Sequence, residues 1–78
     1  MRQKQPALVI TFRATTHAMA AEQLCTEQNL PGRLIPVPRE ITAGCGLAWK
    51  AKPEDADILT AAFALARLQW EAVHTLML

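Results

Sequence analysis

The 78-residue chain has two cysteines, and their surroundings differ in kind. Cys25 sits in "AAEQLCTEQ" among small and apolar neighbours, the setting of a cysteine that fills space as a small hydrophobe. Cys45 stands between Gly44 and Gly46 in "PREITAGCGLAW", residues 38–49, nearly stripped of local cover. Either the backbone needs those glycines, or they leave the sulfur open to an approaching group. The chemistry within reach of such a residue is that of the thiolate, the nucleophilic form, which neighbouring positive charge favours over the thiol. Arg39 in the same loop offers a guanidinium for thiolate pairing or anion binding. Thr42 offers a hydroxyl, and His17 an imidazole that could serve as general acid or proton relay.

The elements that must position these residues follow from periodicity. "ALVITF" (7–12) is a β-branched run bounded by Pro6 and Arg13, expected as a buried central strand. "TTHAMAAEQLCTEQ" (15–28) changes to helical spacing, with Ala18, Ala21, Leu24, Cys25 and Gln28 on one stripe. Thr15 or Thr16 is the expected N-cap, its hydroxyl accepting from a first-turn N–H. Asn29, which tolerates the left-handed conformation, ends the helix before Pro31 and Gly32. "RLIPVP" (33–38) is a strand whose prolines confine it to a sheet edge. "GLAWKA" (46–51) is a third strand. Pro53 opens a second helix, with Glu54 and Asp55 at the positive end of its dipole. Ile58, Leu59, Ala62, Phe63 and Ala66 form its apolar stripe, to about Leu68. "WEAVHTLML" (70–78) is the last strand, with Trp49 and Trp70 expected as packing residues on strands.

This β-α-β-β-α-β order is the split pattern of the ferredoxin-like fold, an α+β two-layer sandwich. Its antiparallel sheet runs 4-1-3-2 with both helices on one face. Residues 1–6 form an N-terminal tail and 7–78 a single domain. Strands one and two run the same way and end at one rim, where helix one begins and where the loop between strands two and three crosses. Arg39, Thr42, Gly44 and Cys45 are therefore expected close to Thr15, Thr16 and His17. Unpaired N–H groups at the helix start and a nearby guanidinium would favour the thiolate, or hold a sulfide, selenide or small oxyanion.

Composition narrows the classes. The formal net charge of +1 offers no strong basic excess for a nucleic-acid footprint, although Arg33 and Arg39 could form a local basic spot. The apolar run at the N-terminus is too short for a secretory signal, and no stretch approaches a membrane span. A cytoplasmic chain with reduced thiols is expected. Neither C-x-x-C nor a zinc-spaced His/Cys cluster occurs, so no metal is expected. The apolar fraction is 51%, much of it alanine, so the core is thin. A homodimer is possible, since pairing along an exposed, apolar last strand would remove an edge liability.

"TFRATTHAMAAEQ", "LIPVPREI" and "GCGLAW" resemble, in order and spacing, the selenium/sulfur carrier-like family of small bacterial proteins. The resemblance covers nearly the whole chain. Its most specific part is P-R-x-x-(S/T)-x-x-C-G, matched by Pro38, Arg39, Thr42, Cys45 and Gly46. Members often carry serines just before the cysteine, where this chain has Thr42, Ala43 and Gly44. The resemblance implies that Cys45 carries sulfur or selenium as a persulfide or perselenide between donor and acceptor proteins. Such a carrier acts stoichiometrically rather than as an enzyme and calls for no cofactor. Two other readings of the same rim are a regulatory or assembly module that binds a partner or small ligand, and a redox-sensing thiol.

Overall fold

The computed structural model describes residues 3–42 and 44–78, so Ala43 of the cysteine loop lies outside the described residues. Four strands and two helices follow the expected order: β1 (Pro6–Thr11), α1 (Thr15–Gln28), β2 (Arg33–Pro36), β3 (Leu47–Ala51), α2 (Ala56–Leu65) and β4 (Ala72–Met77). The sheet is antiparallel throughout and ordered β2-β3-β1-β4, which read from the other edge is 4-1-3-2. The fold is the ferredoxin-like two-layer sandwich. Proline-bearing β2 lies at an edge, as its missing ladder donors require. Gln5 extends the β1–β4 pairing through two 2.9 Å backbone hydrogen bonds with Leu78.

Alternation along β1 sends Leu8, Ile10 and Phe12 into the layer under the helices, where they meet Ala18, Ala21 and Cys25 of α1, Trp49 of β3, and Leu59 and Phe63 of α2. Burial of each large side chain there contributes about 2 kcal/mol. Phe63 stands between Phe12 and Trp70, with ring centroids 6.3 and 6.0 Å away and both pairs tilted. The indole N–H of Trp49 donates to the Pro31 carbonyl at 2.9 Å. Gln28, expected on the buried stripe of α1, is exposed, as are Ile58 and Ala66 of the expected α2 stripe.

Several boundaries differ from expectation for physical reasons. The N-cap of α1 is Ala14 rather than Thr15 or Thr16, in extended geometry with no side-chain cap. A three-residue connection, 12–14, joins β1 to α1, and its last residue is the extended one before the first turn. α2 stops at Leu65, not Leu68, and is preceded by a 3₁₀ turn over Pro53–Asp55. Arg67 takes the left-handed conformation at φ 55°, and Leu68 N–H bonds back to Phe63 C=O at 2.9 Å while Arg67 N–H bonds to Ala64 C=O. That is a Schellman closure, in which Leu68 packs on the core without being helical. Asn29 closes α1 the same way, at φ 53° with Leu30 N–H on Cys25 C=O at 2.8 Å. β2 ends at Pro36 rather than Pro38, although Val37 N–H still donates to Gly46 C=O. β4 begins at Ala72, so Trp70 packs from the connection instead of from a strand.

Candidate thiol site

Cys45 closes the β2–β3 loop two residues before β3, half-buried at the margin of the core. Its thiol donates to the Leu47 carbonyl at 3.5 Å. Gly46 has φ 79°, a left-handed conformation, and a Cβ built there would meet nothing within 4 Å. Glycine is needed at that position for its backbone, and the surface beside Cys45 is open. At Gly44 the reason is crowding instead. A Cβ there would lie 3.1 Å from the Arg13 carbonyl oxygen and 3.5 Å from Arg13 Cα. The cysteine loop is thus seated on the turn that joins β1 to α1.

The first turn of α1 is held by His17 N–H and Ala18 N–H, both bonded to Ala14 C=O. The N–H groups of Thr15 and Thr16 have no backbone partner among the described residues, and Ala14 has no side chain with which to cap them. His17 is half-buried in a recess of about 430 Å³ that it shares with Arg13, Leu68, Gln69 and Trp70. Arg13 was not singled out by sequence. Its place at the end of the first strand, on the rim where the loops meet, is the signal that marks it.

Arg39 takes another direction. It sits in a turn closed by Ile41 N–H on Pro38 C=O at 2.9 Å, and it lines a concavity with Lys4, Arg33 and Lys50. Among the described residues neither Arg39, Thr15, Thr16, His17 nor the exposed Thr42 hydrogen-bonds to Cys45. The structure therefore gathers Gly44, Cys45, Gly46 and Arg13, sets His17 in the recess that Arg13 also lines, and turns Arg39 toward the sheet. Cys25, the second free cysteine, is 2% exposed, and burial pushes its thiol up from 9.0 to about 11. It is a core residue, as its place on the helical stripe predicts. Among the described residues no group of three or more His, Cys, Asp or Glu could hold a metal ion, and no helix is long and apolar enough to cross a membrane.

Fold and site together define a small ferredoxin-like domain with one buried and one partly exposed thiol, the latter on the rim of the sheet. A sequence profile described as "Putative Se/S carrier protein-like" matches residues 7–75, and the chain belongs to that family. Comparison with curated proteins and with solved structures returned no match.

Proposed function

We propose that the protein carries sulfur or selenium on Cys45 and passes it between partner proteins. The observation that carries this reading, beside the family, is the contrast between the thiols. Cys25 is sealed in the core with a raised pKa, whereas Cys45 lies half-exposed with open space beside Gly46. In the loading step Cys45 first loses its proton to solvent. The thiolate then attacks the outer sulfur of a donor persulfide, the donor's S–S bond breaks, and the donor departs as a thiolate. Cys45 is left as a persulfide with no net oxidation or reduction. Delivery is the same exchange in reverse, with an acceptor thiolate as nucleophile. Selenium follows the same course as a perselenide.

The anionic terminal atom needs positive potential. The Thr15 and Thr16 N–H groups at the start of α1 are candidates, with His17 as proton relay and Thr42 as a hydroxyl donor. Arg39 lines the sheet-side concavity and shares no hydrogen bond with Cys45, so pairing with the cargo calls for a change of its rotamer. Intact-mass measurement tests the reading. After incubation with a low-molecular-mass persulfide, or with selenite and a limiting amount of thiol, the protein should gain one sulfur or selenium atom that excess reductant removes. Cys25→Ala should retain the gain and Cys45→Ser should lose it. A gain that survives Cys45→Ser, or no gain in either protein, refutes the carrier role.

A further inference from the structure

The sheet face turned away from the helices has a charge arrangement that packing does not explain. Arg33 of β2 and Lys50 of β3 are direct cross-strand partners, and the same row continues through Val9 to His74. Trp49 and Ile10, their neighbours in register, face the helices, so Arg33, Lys50, Val9 and His74 face away. Like charges placed directly opposite each other cost stability. Lys4 and Arg39 join the pair around a shallow concavity of about 530 Å³, where Glu40 is the single acidic side chain and Ile35, Met77 and Leu78 supply apolar side chains. The helical elements show the opposite bias. They carry Glu22, Glu27, Glu54, Asp55 and Asp57 and no lysine or arginine. A near-neutral chain is thereby folded into a molecule with a basic sheet face and an acidic helix layer.

We propose that this sheet face docks an acidic segment of a partner protein, with Asp or Glu side chains flanking an apolar residue that seats against Ile35. The occupant's role as donor or acceptor rests on the carrier reading, whereas the docking itself does not depend on Cys45 chemistry. Charge complementarity selects the acid. Aromatic placement selects protein over nucleic acid. Phe12, Trp49, Phe63 and Trp70 all belong to the helix-side core, so the His74 imidazole is the one ring on this face and successive bases have no row of rings to stack on. Pro38 and Arg39 border the concavity and lead along one loop to Cys45, so a partner seated here lies beside the loop that presents the thiol.

The test is a titration of the ¹⁵N-labelled full chain with a blocked peptide of alternating Glu and Leu. A Gln/Leu peptide and a short oligothymidylate are run in parallel. Saturable amide shifts are expected at Arg33, Ile35, Lys50 and His74 and not along α1, and the Gln/Leu peptide should leave them unmoved. Arg33→Glu should weaken binding by about tenfold or more while thermal stability holds or rises, because it turns a repelling cross-strand pair into an attracting one. Cys45→Ser should bind the peptide as the parent does. A protein that binds the peptide yet never takes up sulfur fails the carrier reading alone. The docking proposal is overturned by an absence of saturation at millimolar peptide, or by binding indifferent to Arg33→Glu. Tighter binding of oligothymidylate overturns it in favour of nucleic acid. Shifts at the same residues that grow with protein concentration alone overturn it in favour of a second copy.

Discussion

Cys45 and Cys25 should react with a thiol reagent such as DTNB at rates separated by orders of magnitude. For Cys25 the size of the effect follows from its environment, with the thiol at about 11 and 2% exposed. At pH 7.5 such a group is thiolate in about 3 molecules per 10,000, against about one in ten for a reference thiol near 8.5, a deficit of roughly 300-fold. A more basic thiolate is the better nucleophile, which recovers roughly tenfold at a Brønsted slope of about 0.4–0.5. A penalty of roughly 30-fold remains before access is considered. Reagent reaches a sulfur under α1 only after local opening, which returns the thiol to its ordinary pKa, so an opening cost of about 3 kcal/mol sets a penalty of roughly 100-fold in place of the pKa penalty. Cys25 should therefore react roughly a hundredfold more slowly than a free thiol. Stopped-flow absorbance at 412 nm, with the labelled residue assigned by peptide mass, resolves this directly. The native protein should show one prompt thiol, mapped to Cys45, and a second only on unfolding. Cys45→Ser should be almost silent until denaturant is added. If the native thiols react within tenfold of each other, or Cys25 is labelled first, the contrast that supports Cys45 as carrier is wrong.

Because burial raises the Cys25 pKa from 9.0 to about 11, the unfolded chain loses its proton first as pH rises. Stability from this group is present below pH 9 and falls between about 9 and 11, by up to about 3 kcal/mol. Cys25→Ala should be less stable at pH 7 but lack that part of the alkaline slope in urea melts; an identical slope refutes the assignment. Ala14 already has N-cap geometry without a side-chain acceptor, so Ala14→Ser should raise stability by about 1 kcal/mol in chemical denaturation. Arg67 is held at φ 55° in the Schellman closure, and Arg67→Gly should stabilise by roughly 0.5–1 kcal/mol. A loss of stability in that variant would mean that the arginine side chain holds the closure.

Much of the architecture was legible because its signals are local. The β-branched run at 7–12, the helical stripe through Ala18, Ala21 and Cys25, the left-handed Asn29 and the prolines of β2 each constrain their own neighbourhood. With the split β-α-β order they lead to one sheet arrangement. Local signals also misled, and for identifiable reasons. Leu68 and Trp70 continue the apolar pattern of α2 and β4, yet they pack on the core from a Schellman closure and a connection. An apolar residue that anchors the end of an element is hard to tell from one inside it. The expected hydroxyl caps failed because the chain's exit from β1 decides which residue is extended, and that residue is Ala14.

The thiol site divides along the same line. That Cys45 is the unusual cysteine, and that its loop crosses the rim near the start of α1, could be read from residue types and element order. The reason for its glycines could not. Gly44 is favoured by close contact with Arg13, 31 positions earlier in the chain, and Gly46 by a backbone angle. The pairing of Arg33 with Lys50 on the outer sheet face was likewise decided only by strand register, and the direction of Arg39 by how its loop folds back to the sheet. Periodicity and turn chemistry act over a few residues and survive in the linear chain. Contacts between distant residues arise only when the sheet closes, so the field around Cys45 and the polarity of the molecule belong to the folded state.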